Sequence, residues 1–177
     1  MSPSRPQPGE YAPYYEAYIS LVAGNDILRV LEEQLVQFPI LFAGRGERDG
    51  GFRYAPGKWT VKEVLGHIND AERVFAYRAL RIARNDKTSI EGFEQDDYVR
   101  YGSFSRCRLA DLVDEFKHVR RATLALFRAL DEEAWLRRGT ANNNEVSVRA
   151  LAYTIAGHVL HHTRLFEERY FSAIPRA

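Results

Sequence analysis

Ile155-Ala156-Gly157-His158-Val159-Leu160-His161-His162 lies inside an apolar pattern with helical spacing, and its reading decides the fold. Leu151, Ile155, Val159, Leu165 and Phe166 make one stripe of a helix predicted from about Val146 to Phe171, with Ser147 or Asn144 placed to cap it. Moving toward the N-terminus, Gly139 to Asn144 reads as a loop with three consecutive asparagines. Asp131 reads as the cap of a short turn carrying Trp135. A third helix is predicted over Leu109 to Leu130, on a stripe of Leu109, Leu112, Val113, Phe116, Leu124 and Phe127. The stretch from Asn85 to Ser105 is a long polar connection, a length that in a compact domain points to a crossing of the fold or the covering of a site.

The helix before that connection has a marked start. Thr60 followed by Glu63 is a capping box, and Val64, Leu65, Ile68, Ala71, Phe75 and Ile82 carry its stripe to about Arg84. Residues 44–57 read as a loop. Upstream, Pro13 opens a helical pattern that Gly24-Asn25 interrupts. It resumes at Ile27, with Asn25 as a candidate cap, and runs to Pro39, which should kink or end it. No stretch shows a competing strand pattern. The expected fold is all-α: a four-helix bundle with a long connection between helices 2 and 3. That connection permits those two helices to run parallel, in up-down-down-up order. Residues 1–12 are read as a flexible N-terminal tail and 13–177 as a single domain.

Composition narrows the function classes. Of the 177 residues, 45% are hydrophobic and 28% charged, as in ordinary globular proteins, and a net charge of +1 gives no footprint for nucleic acid. The apolar runs are too short to span a membrane, and the first residues lack the core of a secretory signal. A single cysteine, Cys107, excludes an internal disulfide and fits a cytoplasmic location. It reads as a partly buried, inert side chain.

The five histidines sort by helical face. His158 and His162, four apart, fall within the buried arc of the last helix, where Cβ atoms at that spacing are roughly 5–6 Å apart. His161 belongs to a row with Thr154, Gly157, Arg164 and Glu168. A pairing of His158 with His161 is also within helical reach. His67 shares a row with Val64, Ala71 and Val74 and faces the core, whereas His118, among Asp111, Asp114, Glu115 and Arg121, is expected in solvent. Three inward histidines from two helices suit a metal site in a bundle core, and three ligands leave a fourth position open. Separate core histidines, each with its own hydrogen bonds, are the competing reading. Glu63, Asp70 and Glu72 are candidate partners for the outer ring nitrogen of His67. Glu91 to Asp97 is a solvated loop, a lid or the donor of a fourth ligand. The row Arg73, Arg78, Arg81 and Arg84 is read as a solvated or inter-subunit face, or as a contact for an acidic thiol cofactor.

Two segments carry a family resemblance. Pro56-Gly57-Lys58-Trp59-Thr60-Val61-Lys62-Glu63-Val64-Leu65-Gly66-His67 resembles the first signature of the DinB-like (DinB/YfiT-like) superfamily, in which Trp-Ser/Thr-x-x-Glu precedes a ligand histidine. The His158-x-x-x-His162 segment resembles the second, and Tyr14 to Val22 is similar to the opening of a subgroup. The resemblance implies an up-down-down-up bundle, often a homodimer. It also implies a divalent metal, nickel or zinc, held by His67, His158 and His162. Relatives include S-transferases that use bacillithiol or mycothiol and a mycothiol-dependent maleylpyruvate isomerase. For this chain the resemblance therefore implies a metal-dependent transferase activating a low-molecular-weight thiol toward a small-molecule substrate. The alternatives are a metal-dependent hydrolase or a non-catalytic metal-binding bundle.

Overall fold

The capping box forms as its residues dictate: Thr60 N donates to Glu63 Oε2 (2.6 Å), and Glu63 N donates to Thr60 Oγ1 (3.2 Å). In the computed structural model, which describes residues 2–174, that cap starts the second of four long helices. They are α1 (Ile27–Ile40), α2 (Val61–Ala83), α3 (Leu109–Arg128) and α4 (Val148–Leu165), the last continued by a π-helical turn, Phe166–Phe171. Asp26, not Asn25, caps α1 by accepting from Arg29 N, and Pro39 sits in its final turn. Ser147 caps α4 through Ala150 N.

Side-chain bonds fix the helix directions. Asn69 on α2 donates to Leu112 O, and Glu72 meets Arg120, so positions on α2 and α3 rise together and the two run parallel. Tyr170 Oη donates to Trp59 O at one end, and Arg137 reaches Ala83 O at the other, so α2 and α4 are antiparallel. Glu32 pairs with Arg128 while Gln34 meets Arg120, which makes α1 and α3 antiparallel. The order is up-down-down-up, with the long connection between α2 and α3 spanning the bundle.

The apolar core is two clusters stacked along the bundle, one around Leu31, Phe75, Leu124 and Leu151, the other around Phe38, Ile68, Phe116 and Val159. On each helix a buried polar side chain falls at the changeover: Gln34 on α1, Glu72 on α2, Arg120 on α3 and His158 on α4. Arg120, fully buried, pairs with Glu72 through two parallel 2.8 Å bonds and donates to Gln34 Oε1 (2.8 Å). Gln34 Nε2 donates in turn to Ala156 O (2.8 Å). This chain of bonds crosses all four helices at one level.

Several expectations are corrected. The stretch read as a flexible tail is, from Ser2 onward, laid against the bundle; Met1 lies outside the described residues, as do 175–177 of the expected domain. Arg5 donates to the carbonyls of Val22 and Ile19, and the buried Glu10 accepts from Ser147 and Arg149. The asparagine-rich loop is a hairpin, β1 (Arg138–Ala141) against β2 (Asn144–Ser147). Asn142 and Asn143, at φ 50° and 59°, form its two-residue turn; positive φ at both positions is what a hairpin twist requires, and asparagine tolerates it. The polar connection contains a helix at Gln95–Tyr101, and the 44–57 loop a helical turn at Glu47–Gly50. No helix among the described residues is long and apolar enough to cross a membrane.

Candidate metal centre

His67, in the second turn of α2, meets His158 and His162 of α4 because the two helices run antiparallel and α2 begins where α4 ends. The Nε2 atoms of His67 and His162 each lie 3.0 Å from Nε2 of His158. All three side chains are buried, with 3–6% of their surface exposed. Two glycines seat their neighbours at this depth. A Cβ on Gly157 would lie 2.1 Å from the carbonyl oxygen of Tyr18, and one on Gly66 would lie 2.3 Å from the Phe104 ring. The chain packed over Gly157 sets Tyr18 edge-on to His158 (5.4 Å), and Trp59 lies against His67 (5.0 Å). Each glycine immediately precedes a histidine of the cluster, a signal present in the sequence.

The donor set can be tested against hydrogen bonding alone. A neutral imidazole nitrogen offers one in-plane group, either a proton or a lone pair. His158 Nε2 therefore serves at most one of its two 3.0 Å neighbours. A divalent cation accepts all three lone pairs at once, at N–metal distances of about 2.0–2.1 Å for zinc. The separations fit such an ion better than they fit three separately bonded core histidines. Among the described residues these three are the group of potential ligands that converges. His161 is exposed with its ring against that of His162, and His118 is exposed on α3.

Burial also selects the ligating protonation state. It holds His67 down at about 4, with the nearby Asp96 charge opposing the shift. His158 and His162 are depressed well below their ordinary value, first by burial, then His158 by His162 and His67, and His162 by His67 and His161. All three are neutral at pH 7. Between pH 6.5 and about 4 the unfolded chain binds a proton that folded His67 refuses, so stability present at neutral pH is lost as pH falls through that window. For His67 alone the loss is up to about 3 kcal/mol. Denaturant midpoints of the metal-free protein, measured from pH 7 to 4, should fall accordingly, and a His67→Phe variant should show a shallower fall.

The three expected partners for the outer nitrogen of His67 are engaged elsewhere. Glu63 closes the helix cap, Glu72 pairs with Arg120, and Asp70 faces Arg73. His162 Nδ1 is buried with no partner among the described residues.

Two clefts open onto the centre. One, of about 300 Å³, is bounded by His67 and His158 at one end and by Tyr15, Phe75 and Arg78 farther along. The other, of about 260 Å³, reaches His162 past Trp59 and Asp96. Phe93, Glu94 and Gln95 border the first cleft and Asp96 the second, so the 86–105 connection does cover the site. Arg78 corrects the reading of a solvated arginine face. It is 2% exposed and lines the first cleft, as does Asn142 from the hairpin turn. Cys107 is half-buried just after the Phe104–Arg106 turn, one residue ahead of the N-cap of α3, and apart from the residues lining both clefts.

A helical bundle with three converging imidazoles beside an open cleft defines a class of metal-site proteins, and comparison identifies its family. The DinB superfamily model matches residues 31–166, and the chain belongs to that superfamily. The fold is similar to that of YfiT from Bacillus subtilis, described as a probable metal-dependent hydrolase with an unusual four-helix bundle topology. That match has TM-score 0.74 and 15% identity, over 94% of this chain and 91% of YfiT. It is also similar to the mycothiol-dependent maleylpyruvate isomerase, with TM-score 0.65 and 14% identity, over 81% of this chain and 60% of the isomerase. No curated protein sequence matches the chain.

Proposed function

We propose that the protein is a metal-dependent transferase that activates a low-molecular-weight thiol, with nickel or zinc held by His67, His158 and His162. The observation that carries this reading is the convergence of three neutral Nε2 atoms at the end of a cleft. A divalent ion bound there supplies Lewis acidity, lowering the pKa of a thiol or water on its free side so that the nucleophile exists at neutral pH. Trp59, Phe75 and Phe93 give the two clefts apolar walls beside the centre, and burial holds the imidazoles neutral.

The placement of carboxylates favours a thiol over water as nucleophile. A carboxylate base assists hydrolysis by taking the proton of the metal-bound water, and Glu63, Asp70 and Glu72 are engaged elsewhere. A thiol, far more acidic than water before it meets the metal, depends less on such a base. Hydrolysis stands as the second reading because Asp96 borders the cleft at His162, a place from which a carboxylate can serve a water. The two neighbouring structures bear descriptions of both kinds, one naming metal-dependent hydrolysis and the other mycothiol dependence.

The test is a panel of bacterial thiols with a chromogenic electrophile, run with protein loaded with nickel, zinc or manganese. Turnover should require both metal and thiol and should fall at least about 100-fold on chelation. Ester or amide hydrolysis without thiol, abolished by Asp96→Asn, would establish the second reading instead. Turnover indifferent to metal would dismiss both.

A further inference from the structure

Two arginines are buried among the described residues, Arg120 at 0% and Arg78 at 2% exposure, and they differ in what they meet. Arg120 is matched by Glu72 through two parallel bonds, and the less buried Arg149 by Glu10. Arg78 has no carboxylate partner among the described residues. Its Nη2 donates to Glu91 O (3.0 Å), Nη1 makes a long contact with Tyr15 Oη (3.5 Å), and Nε is buried with no partner among the described residues. The guanidinium carbon lies 5.8 Å from the centroids of both Phe75 and Phe93, so aromatic rings flank it. An isolated buried charge is costly, and a fold retains one where something else neutralises it.

The position of Arg78 indicates what that is. It lines the same cleft as His67 and His158. Ala71, Phe75 and Arg78 follow His67 along one face of α2, and eleven residues of helix separate Arg78 from His67 by roughly 16 Å along the axis. The cleft has the Arg78 cation at one end and the imidazole cluster at the other, with Ala71 and Phe75 between them and the exposed Glu94, Gln95 and Asn142 at its rim. A planar guanidinium with rings at its sides offers its edge, which matches the planar edge of a carboxylate.

We propose that Arg78 is the receptor for a carboxylate on the molecule that reacts at the metal centre. The substrate or cosubstrate is then an extended anion, anchored at Arg78 with its reactive end against His67 and His158. This rests on the metal-centre reading above but not on which nucleophile the metal activates. Arg78 determines specificity.

The probes are the monohydroxamate of suberic acid, whose far end is a carboxylate, and the corresponding hydroxamate ending in an N-methylamide. Calorimetric titration of nickel- or zinc-loaded protein should show the acid binding at least about tenfold tighter than the amide, as a charge-assisted hydrogen bond implies. Arg78→Met should bring the two within about twofold, leaving metal content and amide affinity unchanged. Equal affinities in the wild type, or a preference that survives the substitution, overturns the proposal while leaving the metal centre intact. Thermal unfolding of ligand-free Arg78→Met separates a receptor from a structural arginine. A Tm equal to or above that of the wild type supports the receptor, and a fall of more than about 5 °C overturns it. If neither hydroxamate binds the loaded protein, the open metal position fails instead. The anion site is then judged by thermal shift with suberate against its bis-methylamide: stabilisation by suberate alone, lost in Arg78→Met, supports it, and no difference overturns it.

Discussion

Replacing Arg120 by alanine should lower the stability of the protein by about 3–5 kcal/mol, much of what a domain of this size commonly has. The substitution strands the carboxylate of Glu72, which is 2% exposed, and removes the donor to Gln34 Oε1 at the level where the two apolar clusters meet. The cost comes mostly from the groups left behind, because a buried charge without its partner keeps its full desolvation penalty. The double variant Glu72→Leu with Arg120→Met should therefore recover most of the loss despite removing more hydrogen bonds. Urea unfolding of the wild type, the single variant and the double variant reads both effects. A single variant within 1 kcal/mol of the wild type would mean that the bonds across the four helices contribute little.

The second large effect concerns the imidazoles. His67→Ala, His158→Ala and His162→Ala should each reduce metal content from one ion per chain to near zero after desalting, whereas His161→Ala should retain it. A two-histidine remnant lacks the third donor that the converging Nε2 atoms provide. In the wild type, metal at about 100 times its dissociation constant should add roughly 2.7 kcal/mol of stability that a chelator removes, and the alanine variants should show no such difference. Turnover with thiol and electrophile should fall with metal content across the same series. Retention of one tightly bound ion in the His67→Ala protein would place the site elsewhere.

The parts of this architecture that local chemistry specifies were legible in the chain. Thr60 and Glu63 are three residues apart and cap the same helix in the structure. His158 and His162 are one turn apart, and facial periodicity alone set His67 inward and His118 outward. Pairings between distant residues were not legible. Glu72 and Arg120 are 48 positions apart, so Glu72 reads as a free carboxylate near His67 until the parallel packing of α2 and α3 joins the two. Arg78 falls in a row with Arg81 and resembles a solvated face, because nothing local shows that residues 91–93 fold over it. The hairpin is hard to read for a different reason: strands of four residues are too short for alternation to register, and the signal resides in Asn142 and Asn143, whose tolerance of positive φ suits a tight turn. Contacts of residues 2–12 are not legible because Glu10 gains its meaning only from Arg149, 139 positions later.

The imidazoles come from two bundle helices, whereas much of the cleft beside them is built from connections: Tyr14, Tyr15 and Tyr18 ahead of α1, Phe93 to Gln95 between α2 and α3, and Asn142 at a hairpin tip. Reactive centre and recognition wall are thus separate inheritable parts. Exchanging the wall segments would alter which molecules are accepted without disturbing the scaffold that supports the chemistry, so lineages built on this plan can diverge widely in diet while conserving their engine.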